Sequence, residues 1–393
     1  MRMLPFLTSL ISAARQAGVE RRRDGKKRIW MIGPMPLPLN GQSNYNQTIL
    51  AFFRKHAPVA LLPTGGRGGE KLVASIVLPF IILFSIRAGD HVYTSPPGQK
   101  GIWLFMASIL ALRVRKLDHF VHHHSFRPIN LGPTRSARML TSLGGNYQRH
   151  IFLSEKMMQR YADLYLSERQ RQRSFVLPNA YLFSREDAVA GPRSGPITIG
   201  HLSVITREKG VGYLMELIER LIARRSDFVF VLAGPIRDPG LNAEVKAFCV
   251  RHPTVVSYLG PVFDEAKSRF YRQLDMFVLP SRLIDEADPL VILEAFGHGC
   301  DVIASPTGCI PERVLSPERL MTFDIETDVA SFEKRISEMR RDRDKMPAAC
   351  VAHARKMHAE AIGDAERFFG ALDITLAKPN MEPTHGRELA ATR

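Results

Sequence analysis

The sequence has little of several things, and each shortage excludes something. Its four cysteines, Cys249, Cys300, Cys309 and Cys350, form no C-x-x-C pair and have no histidine at zinc-like spacing. A structural metal site is therefore not expected, and the thiols suit small buried residues in a reducing compartment. No apolar run reaches the ~20 residues needed to cross a bilayer. Acidic residues are scarce in one half only. Residues 1–190 hold 10 Asp+Glu against 27 Lys+Arg, whereas residues 191–393 hold 29 against 27, so the formal net charge of +15 belongs to the first half. Nothing is of low complexity, and 45% hydrophobic with 24% charged residues is the balance of a folded protein.

A basic half implies a polyanionic surface, either nucleic acid or anionic lipid headgroups. Nucleic acid would call for aromatics interleaved with the basic residues or for a binding motif, and neither is present. Apolar sequence accompanies the charge instead, at residues 72–86 and 102–112, both with basic flanks and the first interrupted by Pro79. These stretches read either as buried helices of an α/β domain or as a surface that rests on a membrane. In residues 1–27, Leu4, Leu7, Leu10, Ile11 and Ala14 fall at helical spacing and Arg15, Arg21, Arg22, Arg23, Lys26 and Lys27 follow. A secretory signal has the opposite order. The segment reads as a basic amphipathic leader suited to a membrane surface, or as a disordered one.

Short apolar runs alternate with helical patterns throughout, which predicts parallel sheets covered by helices. Strands are expected at 28–32, 59–62, 91–94, 119–122, 150–153 and 175–177, then at 197–202, 228–233, 255–258, 276–279 and 301–304. This gives an N-terminal domain over 28–185, a Gly/Pro-rich linker over 186–196 and a C-terminal domain over 197–350. A helix over 351–376 and a disordered tail over 377–393 complete the chain.

Residues 279–299 carry the most chemistry. Asp288 is expected to cap a helix with Pro289 in its first position. The amides of Leu290, Val291 and Ile292 then lack intrahelical acceptors and, with the helix dipole, offer a phosphate site. Glu286 and Glu294 bracket it, as a diphosphate between two hydroxyl-rich sugars would require. This segment resembles the E-x7-E signature of glycosyltransferase family 4. The resemblance covers roughly residues 197–314, through Leu202-Ser203, Lys209-Gly210, the Leu232–Pro235 turn with Gly234, Leu259-Gly260 and the Gly308–Glu312 turn.

The resemblance implies the GT-B fold: α/β, with two Rossmann-like domains facing a cleft and a C-terminal helix crossing back to the first. It implies a nucleotide-sugar donor held mainly by the second domain, and retention of anomeric configuration without an obligatory metal or other cofactor. The reaction would pass through an oxocarbenium-like ion pair, with Glu286 as a covalent nucleophile the less favoured route. Among the residues that match, Ser203 and Gly234 line the donor site. Glu294 receives the ribose hydroxyls, Glu286 faces the sugar, and Lys209 neutralises the diphosphate. Where the family usually has an arginine this chain has His201, so Arg207 is the candidate second cation. Gly41, ending a Pro-rich loop, resembles the glycine that lets backbone approach the donor phosphate. A family active-site histidine falls at residues 122–124, in the order of preference His124, His123, His122, and Asn179 matches a structural asparagine. The resemblance also implies a bacterial enzyme on the cytosolic face of the inner membrane, with a lipid-linked or other saccharide acceptor in polysaccharide or lipopolysaccharide assembly. A GT-B epimerase, a phosphorylase or a non-catalytic GT-B subunit is the alternative.

Overall fold

The computed structural model describes residues 3–24, 27–36, 41–66, 69–98, 100–182 and 193–376. The linker expected at 186–196 lies largely outside these residues, and the tail over 377–393 lies wholly outside them. Each expected strand is present within about two residues. The first sheet holds β1 (Ile29–Gly33), β2 (Val59–Pro63), β3 (His91–Thr94), β4 (His119–His122), β5 (Gln148–Phe152) and β6 (Phe175–Val176). The second holds β7 (Ile197–Leu202), β8 (Phe228–Ala233), β9 (Val256–Tyr258), β10 (Met276–Leu279) and β11 (Asp301–Ala304). All pairings are parallel, with orders β2-β1-β3-β4-β5-β6 and β11-β10-β7-β8-β9. Strands such as β1 and β10 are buried at every position and apolar throughout, because parallel strands with both faces covered bury side chains on both.

Each order contains one reversal of winding direction, between β1 and β3 in the first sheet and between β7 and β10 in the second. At such a point the loops leaving the carboxyl ends of two neighbouring strands diverge and open a crevice. The two crevices belong to one cleft, because hydrogen bonds link the loops of the two domains.

The C-terminal segment differs in its boundaries from the sequence expectation. It forms two helices, Ile325–Arg341 and Met346–Gly370, with Pro347 tolerated in the first turn of the second. The second helix crosses back to the N-terminal domain. Phe369 packs on Phe52 and Phe53, while Phe368 packs near Tyr93, Phe120 and Phe175. The leader is likewise part of the fold. It forms the helix Met3–Asp24, whose Leu10 and Ala17 are buried in the cluster that includes Trp30, Ala60, Leu78 and Ile82.

Candidate functional site

The second crevice is built by two loops. Residues 203–210 leave β7, and residues 280–289 leave β10 and enter the helix Leu290–Gly297. Gly210 is left-handed, with φ +77°, and a Cβ there would lie 2.0 Å from the Pro280 carbonyl oxygen, so only glycine lets the two loops touch. Immediately before it, Lys209 Nζ reaches Glu286 Oε2 at 2.6 Å, with the two side chains only 18% and 9% exposed. The first acid of the signature is therefore held by the cation expected to meet the diphosphate. Glu294 sits a turn into the helix, where Lys267 Nζ binds its Oε1 at 2.6 Å and the Tyr271 hydroxyl donates to its Oε2 at 2.9 Å.

The start of this helix differs from the expected cap. Asp288 does not cap it. Its carboxylate accepts from the Asn179 amide at 3.0 Å and from the Arg313 guanidinium at 2.8 Å. The helix begins one residue later, with Pro289 as its N-cap, and the Ile292 amide donates to the Pro289 carbonyl at 3.1 Å. Leu290 and Val291 supply the two leading amides, which have no acceptor within the helix. Asp288 is spent on joining the domains because Arg313 also donates to the Leu153 carbonyl, and Asn179 Nδ2 to the Asp288 carbonyl. Burial tends to lower the Arg313 pKa, but the Asp288 carboxylate outweighs it and holds the guanidinium charged.

The remaining donor-site candidates are dispersed. Arg207 is 59% exposed and pairs with Glu244 at 2.6 Å. Gly234 has φ +120°, and a Cβ there would stand 1.8 Å from the Ser203 carbonyl oxygen. Its role here is close packing of the β8 turn on Ser203. The Ser203 hydroxyl bonds to His201 Nε2 at 2.8 Å, while His201 Nδ1 bonds to the Val278 carbonyl. Gly41 opens the helix Gly41–His56, and a Cβ there would meet nothing within 4 Å. The loop residues 37–40 before it lie outside the described residues.

On the N-terminal side, β4 delivers the three histidines with alternating directions, as extended backbone requires. His123 turns into the core, where its Nε2 bonds to His150 Nδ1 at 2.9 Å and its ring stacks on Phe152. His122 and His124 share the opposite side, with ring centroids 4.0 Å apart, and His124 rests on Tyr45. His122 Nδ1 is taken by the Tyr93 hydroxyl at 2.7 Å. His124 is half-buried, and its Nε2 is enclosed without a hydrogen-bond partner among the described residues. Burial pushes the pKa of His124 and of His123 down to about 3, so both are neutral at pH 7. His122 and His124 both stand against Tyr45, each with an enclosed Nε2 that has no hydrogen-bond partner among the described residues, and His124 is the more exposed of the two.

A contact that the sequence reading missed joins the two halves. Ser125, next to His124, donates to Asp285 Oδ1 at 2.7 Å, and Asp285 is next to Glu286. Arg127 grips the same carboxylate in bidentate fashion at 2.7–3.0 Å, and Asn130 donates to the Ile284 carbonyl. Burial alone would raise the Asp285 pKa, but the bonds from Arg127 and Ser125 outweigh it and hold the carboxyl below its ordinary value. His124 and Glu286 are each one residue removed from this bonded pair. No local motif announces Arg127 or Asp285, since they are 158 residues apart.

Comparisons with known proteins agree with this geometry. Residues 196–342 match the family described as Glycosyl transferases group 1. A glycogen synthase from Mycoplasma mobile is 26% identical over 118 residues, 30% of this chain and 24% of that protein, so the chain aligns with about a quarter of this curated relative. HepE from Anabaena in complex with UDP-glucose superposes with a TM-score of 0.63 at 14% identity, covering 88% of this chain and all of that one. WaaG, a glycosyltransferase involved in lipopolysaccharide biosynthesis, gives 0.57 at 13% identity, covering 87% of this chain and all of that one. The two parallel sheets facing a cleft are the GT-B fold.

Proposed function

We propose that this protein is a retaining glycosyltransferase of family 4 that moves a sugar from a nucleoside diphosphate sugar to a lipid-linked saccharide at an anionic membrane surface. The observation that carries the reading is the Lys209–Glu286 pair at the switch-point crevice of the domain that matches Glycosyl transferases group 1. The donor diphosphate enters at the leading amides of Leu290 and Val291. There it competes with Glu286 for Lys209, so donor binding releases Glu286 to the sugar hydroxyls. Glu294, oriented by Lys267 and Tyr271, accepts from the ribose. Neutral His124 offers one ring nitrogen to the sugar from the other wall. The bond from the anomeric carbon to the diphosphate breaks as the acceptor oxygen bonds to the same face. The acceptor proton passes to the departing phosphate oxygen, and Lys209 and the helix amides stabilise the charge that develops there. UDP-glucose bound to HepE and the lipopolysaccharide pathway of WaaG support the donor and acceptor classes. No helix among the described residues is long and apolar enough to cross a membrane, which suits a peripheral protein.

Incubating the protein with a panel of nucleotide sugars tests the reading through slow donor hydrolysis, and the freed sugar should keep the donor's anomeric configuration. Inverted product, or no donor turned over, rejects it. In calorimetry, Glu294→Ala should weaken nucleoside diphosphate binding by ~1.5–3 kcal/mol, the range for charge-assisted hydrogen bonds. Unchanged affinity would remove Glu294 from the site. Since Lys209 and backbone amides supply the neutralising charge, turnover should persist in excess EDTA. Loss on chelation with recovery in manganese would contradict it.

A further inference from the structure

The helix Gly69–Phe84 carries charge only at Glu70 and Lys71, and the helix Gly101–Val114 only at Arg113. Between those termini both are uncharged all round, a pattern that belongs to helices enclosed by protein or by lipid. Protein encloses only one side of them. Ala74, Leu78, Ile81 and Ile82 of the first, and Phe105, Ile109 and Leu112 of the second, pack onto the outer face of β1–β4. The opposite sides face outward. Leu72, Ile76, Phe80 and Phe84 repeat every fourth residue along the first helix and are exposed, Phe84 to 81%. Trp103, Leu104, Leu110 and Val114 are exposed on the second helix, which lies alongside. Two adjacent stripes of large apolar side chains form a patch of the kind that marks an interaction surface.

The charge around the patch selects its partner. Arg15, Lys71, Arg87, Lys100, Arg113 and Lys116 are exposed beside it, on the helices themselves or on the residues flanking them. The neighbouring acids are each bonded within the protein: Glu70 accepts from the Gly66 amide, Asp90 is buried against the Trp30 indole, and Asp118 pairs with Arg173. A protein partner or a second copy of this chain would favour a rim of balanced sign, and this rim is predominantly positive. Apolar side chains within a cationic collar match an anionic bilayer, where the rings enter the acyl boundary and the cations meet headgroup phosphates. A cleft of about 590 Å³ opens between the leader helix and the first of these helices, lined by Leu7, Ile11, Ala14, Val77, Phe80 and Phe84.

We infer that the outer face of the helices Gly69–Phe84 and Gly101–Val114 is the surface by which this protein docks on anionic membranes, with lipid acyl chains entering the cleft beside the leader helix. This deepens the lipid-linked acceptor of the proposed function and rests on it only for the purpose of docking. Both helices begin at the carboxyl edge of the first sheet, following β2 and β3. A bilayer against this face therefore reaches the rim of the cleft, where a membrane-held acceptor would arrive.

Trp103 lies on the proposed face and Trp30, the other tryptophan of the chain, is buried. Vesicles of phosphatidylglycerol and phosphatidylethanolamine (3:7) should bind the full-length protein and shift its tryptophan emission to the blue. Brominated lipid should quench that emission, and Trp103→Phe should abolish the blue shift and leave only quenching of Trp30, which lines the cleft. Phe80→Asp with Phe84→Asp, at positions already exposed, should lower vesicle partitioning at least tenfold, and Lys71→Glu with Arg87→Glu should make it independent of anionic lipid. Nucleotide affinity, measured without vesicles, should be unchanged in both double variants, which separates failure of docking from failure of the donor site. Equal partitioning of wild type and Phe80→Asp/Phe84→Asp would overturn the inference. So would a wild-type dimer in sedimentation that these substitutions dissolve without altering vesicle binding.

Discussion

Replacing Lys209 by alanine is expected to lower kcat for sugar transfer by ~10²–10³-fold, the scale for losing one preorganised group that stabilises charge in the transition state. The effect should exceed that of Glu294→Ala because the two residues act at different stages. In the proposed reaction Glu294 would orient the nucleoside equally before and during transfer, whereas Lys209 would face charge that grows as the diphosphate departs. Lys209 also neutralises Glu286 at 2.6 Å, and with side chains this enclosed its loss leaves a poorly solvated carboxylate. The single substitution should therefore cost stability as well as rate. The double variant Lys209→Met/Glu286→Gln separates the two, because it removes both charges at little change in volume. It should recover the thermal stability lost by Lys209→Ala yet remain at least as slow. Recovered turnover would show Lys209 to be a structural cation only, and wild-type turnover in Lys209→Ala would empty the proposed site.

The N-terminal domain should lose stability steeply between pH 6.5 and 5.5. It holds His119, pushed down by burial to about 4, and His123 and His124, pushed down to about 3. Burial lowers His122 and His150 as well. In the unfolded chain each would titrate near 6.5. Their folded pKa values are thus depressed, the unfolded state binds more protons below that point, and stability falls as pH drops toward the folded values. Each histidine costs about 1.4 kcal/mol per pH unit. For the first three that is on the order of 4 kcal/mol at pH 5.5, a large share of the 5–15 kcal/mol available to a domain. Calorimetry should show the N-terminal transition falling by ~8–16 °C over this unit. The C-terminal domain, with His201 alone at about 4 among its lowered histidines, should move far less. A pH-independent N-terminal transition would mean that these rings are not buried and neutral.

The architecture was legible because parallel strands advertise themselves. Runs such as residues 29–32 and 276–279 are apolar on both faces, and glycine or proline punctuates the loops that leave them. The residues of the proposed donor side could be named from sequence because they are local. Lys209 stands one residue before the glycine that lets its loop meet Pro280, and Glu286 and Glu294 flank one helix start. The errors lie where a side chain had a distant choice. Asp288 has the composition and position of a helix cap, but Arg313 and Asn179 claim it, and the helix starts a residue later. Arg207 has the charge for a phosphate site, yet Glu244 on the helix that follows β8 is within its reach. The leader's spacing showed an amphipathic helix. Whether its apolar side met lipid or protein depended on a sheet face that no local pattern describes.

By itself the sequence determined the two parallel sheets, their strands, the concentration of positive charge in one half and the carboxylates around one helix start. These follow from periodicity and composition, which act over a few residues. Tertiary structure alone decided that His122 and His124 share the Tyr45 side while His123 turns to His150, which acid holds Lys209, and that Arg127 and Asp285 fasten the cleft. It also decided that one side of two wholly apolar helices stays uncovered. The physical reason is the same in each case. Propensity and hydrophobic period fix an element and the side that can be buried, whereas partners hundreds of residues apart are chosen by sheet order and domain closure.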